Sequence, residues 1–504
     1  MTRRITLTLS ICLINLIATA QQLHFTVSME QPANHYFHVE LRCSAIKDTA
    51  TDFKMPVWTP GYYQRMDYAK NVEHFTVKNA AGDTIPWHMS AGNTWHISHQ
   101  KQAAFTISYD VKTVRLFVGT PYIDEERAFI RPAGVFIHPA GRINLPATVQ
   151  IKPYTGWNNV ATGLDSVPGR SFTYTASNFD VLYDSPFLIG NLEELPAFTV
   201  RGISHRFIGY ELGDFDRQAF MNDLKKIITT ATDLIGDIPY KHYTFLSISP
   251  RGMGGIEQLN STAISFSGES QNDTASRIRA LNFLAHEYFH HYNVKRIRPI
   301  ELGPFDYDNG SRTNQLWVSE GLSVYYEYLI VKRAGLSTEE DLLNAFTGNI
   351  KAFEKGIGKR YQSLQQASYE TWSDGPFGRK DDKENKTISY YDKGPVVGML
   401  FDFTIRQKTN NKKSLDDVMR TLYKEYYQKK QRGFTEEELR QVITKIAGDP
   451  LTELFDYVYT TKELDYTKYL GYAGLSMDTS TYKITRLPNP TSLQKKIVSS
   501  WLGE

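Results

Sequence analysis

Two histidines and a glutamate in one short stretch carry the chemistry of this chain: His286, Glu287 and His290, in the pattern His-Glu-x-x-His. On a helix of 3.6 residues per turn, His286 and His290 lie on one face, one turn apart, and both reach the same point. Two neutral imidazoles placed so can hold Zn²⁺. Glu287, beside the first histidine, is placed to take a proton from a water at that point. A structural zinc is closed by four protein ligands, whereas a catalytic one keeps three and leaves a position open. Glu320, within Leu316, Trp317, Val318, Ser319, Glu320 and Gly321, is the candidate third ligand. A carboxylate among Trp317, Leu322, Val324 and Tyr325 is costly to bury without positive charge opposite it. The alternative is an exposed position on the same helix.

These residues need two helices. Asp273 or Thr274 can cap the first, and Ile278, Leu281, Leu284, Ala285 and Tyr288 follow at helical spacing. Pro299, with no N–H to donate, ends whatever helix remains. The second is predicted from about 315 to 334. Upstream, Gly252, Met253, Gly254, Gly255, Ile256 and Glu257 open an extended segment. Glycines there let backbone approach a ligand closely, and an edge strand can pair with a peptide through main-chain hydrogen bonds.

The pairing of His286-Glu287-x-x-His290 with Trp317-x-x-Glu320-Gly321 resembles the gluzincin zinc metallopeptidases. Residues 290–299, His-His-Tyr-Asn-Val-Lys-Arg-Ile-Arg-Pro, are similar to the glycyl aminopeptidase family, as is the long spacer between the second histidine and the glutamate. The resemblance runs from about residue 23 to 460 and implies one zinc ion held by His286, His290 and Glu320. It implies that Glu257, in a Gly-x-x-Glu motif, binds the free α-amine of a peptide and fixes the cut one residue in, with Gly254 and Gly255 in the substrate-binding strand. The family often has histidine after that glutamate, and this chain has Gln258. Tyr391, offset from Lys393-Gly394 as in the family's Tyr-x-Lys-Gly segment, is implied to donate to the oxyanion. A core tyrosine is the plainer reading of that position.

The rest of the chain must build around this. Hydrophobic content of 41% and charged content of 22% are those of a globular protein. A net charge of +2 without a basic block points away from nucleic acid. Residues 1–20 read as a signal peptide: Arg3 and Arg4, an apolar run over 5–17, then Ala18-Thr19-Ala20 before a cleavage point. That predicts a secreted or periplasmic protein with no membrane insertion after processing. Cleavage leaves Cys43 alone, so no internal disulfide is available. Residues 21–195 alternate like strands: Leu23, Phe25, Val27, Met29; Phe37, Val39, Leu41; Phe105, Ile107, Tyr109, Val111. Turn signals between them predict an antiparallel all-β domain. Its Trp58-x-Pro60-Gly61 resembles a signature of the same family, and Trp58 reads as a packing anchor.

Residues 196–460 are then the catalytic domain, thermolysin-like α+β with a largely helical second half as the resemblance implies. The charged run over 380–386 reads as a solvated loop. In the tail, 461–504, residues 469–475 look like the start of a PDZ domain, with too few residues after them for a complete one. The function implied is a zinc aminopeptidase acting on peptides with a free N-terminus and a small first residue, Gly or Ala. The alternatives are an endopeptidase with the same site, or a non-catalytic peptide-binding relative.

Overall fold

The computed structural model describes residues 22–504 except 102, 114, 252–253 and 380–384. The leader expected over 1–20, Gly252 and Met253, and most of the charged run over 380–386 lie outside the described residues. A mostly-β amino-terminal region is followed by a helical second half, in a multidomain chain. Among the described residues no helix is long and apolar enough to cross a membrane.

Alternating side chains build the first region. Leu23, Phe25, Val27, Phe37, Val39, Leu41, Phe105, Ile107, Tyr109 and Val111 are all buried in one core. They line a seven-stranded sheet in which Tyr36–Ile46 pairs antiparallel with both Gln22–Ser28 and Ala103–Lys112. One pairing runs the other way: Gln22–Ser28 lies parallel to Ala147–Lys152. Two four-stranded sheets complete the region. The short helix Phe179–Tyr183, capped by Asn178, leads towards the second half and ends at Asp184.

The second half starts with its own sheet. Ile203–Gly209, His242–Ser249 and Ser261–Ser265 run parallel, and Gly254–Glu257 is added antiparallel at the edge. That edge strand opposes Glu257 to Thr262 and Gly255 to Ile264. Helix Thr274–Phe289 packs behind it, its first turn held by the Asp273 side chain, which accepts from the Ser276 N–H at 2.9 Å. A π-helical turn, Trp317–Gly321, runs into α-helix Leu322–Arg333 where a single α-helix was predicted. Helix Tyr390–Lys408 crosses that turn, and glycines let it come close: a Cβ added to Gly321 or to Gly394 would sit 2.7 Å from the Cα of the other.

The two regions interlock. Val57, Trp58 and Tyr63 belong to the helical core. In return Tyr307 is buried in the amino-terminal core and donates to Asp180 at 2.7 Å. Trp58, fully buried, donates its ring N–H to the Asp306 carbonyl at 2.7 Å and meets Phe305 and Trp372 edge-on.

Residues 461–504 do not stand apart. Helix Tyr466–Tyr472, the hairpin Leu475–Met477 with Ile484–Arg486, and helix Ser492–Leu502 pack on the helical half. The stretch that resembles a PDZ start therefore spans the end of a helix and a strand of a two-stranded hairpin. Trp501 is fully buried against Phe403 and Phe346, and donates to the Tyr325 hydroxyl at 3.0 Å.

Candidate metal centre and active site

The helix brings His286 and His290 together as its period requires, with their Nε2 atoms 2.8 Å apart. Glu320 projects from the π-helical turn between them. Its Oε2 lies 3.2 Å from His290 Nε2 and 3.6 Å from His286 Nε2. The extra residue that a π turn inserts re-aims a side chain, a device common at functional sites. Glu320 is 2% exposed, so the alternative of a solvated helix position does not describe it.

The outer nitrogens decide what the inner ones can do. His290 Nδ1 lies 2.8 Å from the Asn293 carbonyl, an acceptor only, so this nitrogen carries the proton. His286 Nδ1 lies 2.8 Å from Glu327 Oε2, which favours the same tautomer. Both Nε2 lone pairs then face one point, and two N–H groups cannot share it at that separation. Burial pulls both imidazoles down, but Glu320 outweighs it at each ring, aided at His286 by Glu327, and both pKa values are raised. Burial pushes Glu320 up, and His290 and His286 reverse that and hold it well below the usual carboxylate range. Two nitrogen donors and one carboxylate, their ligand atoms within 4.8 Å of one another and all buried, are a donor set that fits zinc and leaves a fourth position.

The other site residues surround this point. Burial pushes the Glu287 carboxyl up to about 7, against the pull of His286 and His290. Its Oε2 accepts from the Thr262 hydroxyl at 3.3 Å. Gly255 faces it so closely that any Cβ there would run into the carboxylate. Gly254, one residue earlier at the same sheet edge, has open space where a Cβ would be. Tyr391, partly buried at the start of its helix, donates to Glu320 Oε2 at 3.0 Å. Burial, and then Glu320, raise its pKa well above the ordinary value, so the phenol keeps its proton. Tyr390 turns the other way, buried against the Thr371 hydroxyl at 3.0 Å.

Glu257 is 4% exposed, and its Oε1 has no hydrogen-bond partner among the described residues. Gln258 is buried beside it and donates to the Ile256 carbonyl, not towards Glu257. Gly61, at φ +88°, closes over the glutamate: a Cβ there would lie 2.7 Å from Glu257 Oε2.

Several participants went unread in the sequence. Glu327 lies seven residues after Glu320, two turns along the same helix, so periodicity offered that signal. Asn293 was noted only as part of a motif; its amide donates to the Val318 and Ser319 carbonyls at 2.8 and 3.1 Å and ties the end of the histidine helix to the π turn. Thr262 offered no local signal, and Gly61 was noted only within the Trp58-x-Pro60-Gly61 signature.

A model of the M61 peptidase N-terminal domain matches residues 24–191, and a model of the M61 glycyl aminopeptidase matches residues 279–397, together more than half of the chain. The chain belongs to the M61 peptidase family. As a member of M61 it is a metallopeptidase, and a zinc aminopeptidase in the general sense.

A crystal structure of an aminopeptidase N family protein from Idiomarina loihiensis is similar over 91% of this M61 chain and 79% of its own, at 26% identity and a TM-score of 0.85. An M1 zinc metallopeptidase from Deinococcus radiodurans shares the fold, at 12% identity and a TM-score of 0.54 over 88% of this chain and 95% of that one. A variant of that enzyme was solved with a Tyr-Ser-Ala substrate, with a TM-score of 0.52 to this chain, 12% identity and 88% and 94% coverage. A search of curated protein sequences returns no match.

Proposed function

We propose that this chain is an exopeptidase that removes a small N-terminal residue, Gly or Ala, from peptides, with Glu287 as general base. The observation that carries the exopeptidase reading is Glu257. It is a buried carboxylate with one oxygen that makes no hydrogen bond among the described residues, two residues along the edge strand from the Gly255 that faces Glu287. An α-ammonium seated there satisfies that oxygen, and a peptide chain in that position can continue along the strand edge by main-chain hydrogen bonds. A variant of the M1 enzyme solved with a Tyr-Ser-Ala substrate supports peptides as the substrate class. The small first residue is supported by the tight packing over Glu257: a methyl at Gly61 would collide with the Glu257 carboxylate and with the Ile256 side chain.

His286, His290 and Glu320 would hold one zinc ion, which supplies Lewis-acid polarisation of the scissile carbonyl and acidification of a water. The protein groups do the rest. Glu287, with a pKa of about 7, is poised both to take the water's proton and to pass it to the leaving amine. Thr262 holds one of its oxygens and Gly255 leaves room for the other. Tyr391, kept neutral, turns its O–H from Glu320 to the oxyanion as charge develops. Glu257 fixes the amine and so the register of the cut. We further place the mature enzyme outside the cytoplasm, on the signal-like composition of residues 1–20.

The test is a panel of Gly-, Ala- and Leu-anilides with an N-acetylated peptide, and zinc measured on the same sample. Free-amine Gly and Ala substrates should be cleaved. Glu287→Gln should lower kcat by about 10²–10⁴-fold with zinc retained. Cleavage of the acetylated peptide alone would instead make this an endopeptidase and remove Glu257 from its role. A protein with neither zinc nor turnover of any substrate would instead point to a peptide-binding function.

A further inference from the structure

The segment that follows the second histidine, residues 293–299, supplies a side chain the mechanism above does not use. Lys295 is buried, 5% exposed at its side chain. Its Nζ lies 2.7 Å from Asp184 Oδ1 and 3.6 Å from Glu257 Oε1, and both carboxylates are as buried as the lysine. Asp184 comes from the amino-terminal region, at the end of helix Phe179–Tyr183. Its other oxygen accepts from the Leu259 N–H at 2.6 Å, in the turn that joins Gly254–Glu257 to Ser261–Ser265. Both oxygens of Asp184 are therefore engaged, while Glu257 Oε1 has no hydrogen bond among the described residues.

The charge state follows from this arrangement. Burial pulls Lys295 down, but Asp184 and then Glu257 outweigh it and raise the lysine's pKa. Burial raises Asp184, against the pull of the same lysine and of the Leu259 N–H. Two carboxylates around one ammonium keep the proton on nitrogen, and the buried Arg131 guanidinium is near enough to act on all three groups. A buried lysine free to choose would take Glu257 fully and fill the oxygen that an α-ammonium needs. It does not, because it is already drawn to Asp184.

We propose that Lys295 and Asp184 are a positioning pair for substrate recognition: Asp184 holds the lysine ammonium off Glu257 and so keeps Glu257 Oε1 open for the substrate's α-ammonium. The proposal rests on the reading of Glu257 as the amine ligand. It makes amine recognition by the second domain depend on a carboxylate of the first. It also gives a role to Lys295, within the motif that carries His290 and Asn293.

The experiment is a rescue series on the full chain, read as KM and kcat for Gly-anilide, with zinc content and melting curves for each variant. In Asp184→Asn the lysine swings to Glu257, and KM should rise about tenfold or more while kcat stays within about threefold and zinc is unchanged. Asp184→Asn/Lys295→Met removes the competing cation as well, and KM should return to within about threefold of the wild type. A purely structural pair would make the double variant at least as poor as the single. An unchanged KM in Asp184→Asn, or a double variant no better than the single, overturns the proposal. Should Asp184→Asn not fold, Lys295→Arg takes its place. The wider guanidinium reaches both carboxylates and should raise KM in the same way; a wild-type KM there overturns the proposal equally. Glu257→Gln in the same series separates the two claims. If it leaves KM for the free-amine substrate unmoved, the amine reading itself fails. If it raises KM while Asp184→Asn does not, only the positioning pair falls.

Discussion

The candidate metal centre and the pocket proposed for the amine are built in opposite ways. The three side chains proposed to hold zinc come from the end of one helix and the π turn before the next, and their supports, Asn293, Ser323 and Glu327, come from the same short span. Everything the proposed metal site needs is folded within one domain. The pocket around Glu257 is a joint product: Gly61 and Asp184 arrive from the first domain, Ile256, Glu257 and Lys295 from the second. Domain docking should therefore matter little for holding zinc and a great deal for choosing a substrate.

That contrast can be broken or sharpened by substitution. The largest effect belongs to the metal centre. Glu320→Ala removes one of three ligands from a buried site and should abolish both zinc content and turnover; metal analysis of the purified variant checks it. Full zinc occupancy there would mean that other groups complete the centre. Next comes Tyr391→Phe, which should lower kcat by about 10²–10³-fold, the usual cost of losing one oxyanion donor, with KM and zinc unchanged. A matching rise in KM would instead give Tyr391 a part in ground-state binding. The smallest effect is across the domain boundary. Gly61→Ala places a methyl at φ +88° against Glu257. It should raise KM for Gly-anilide several-fold, leave zinc unchanged, and cost about 1–2 kcal/mol of stability in a denaturation curve. Loss of zinc in this variant would show that the two sites are coupled and that the separation drawn above is wrong.

What could be read from the sequence divides along the same line. The spacing of His286 and His290, and the burial cost of Glu320 among apolar neighbours, are local facts with local signatures. So was the alternation of Phe25, Val27, Phe37 and Val39. The π turn under Glu320 was not legible, because apolar spacing over so few residues does not distinguish it from an α-helix. Nor was the parallel pairing of Gln22–Ser28 with Ala147–Lys152, since strand order depends on contacts far apart in the chain. Asp184 carries no local mark, and the signature around Gly61 does not say what it faces, because only the docked domains bring them to Glu257. The tail was opaque for a similar reason: residues 469–475 resemble the start of another module, and the burial of Tyr469, Leu470, Ile497 and Trp501 in the helical core shows where the tail belongs.

The place of Trp501 has a consequence for how the protein is made. Its ring lies against Phe403 and Phe346, and its N–H is bound to the Tyr325 hydroxyl, which donates in turn to the buried Asp402. Tyr325 stands on the helix that follows Glu320. During synthesis the main core of the first domain lacks only Phe305 and Tyr307 once its strands have emerged, and can close early. The helical half stays open on one side until residue 501 has left the ribosome, long after every metal ligand has been made. Since chains fold domain by domain as they emerge, the newborn protein passes through a stage with one finished domain and one uncovered core. That stage is when chaperones, and any machinery that exports an unfolded chain, have their hold on it.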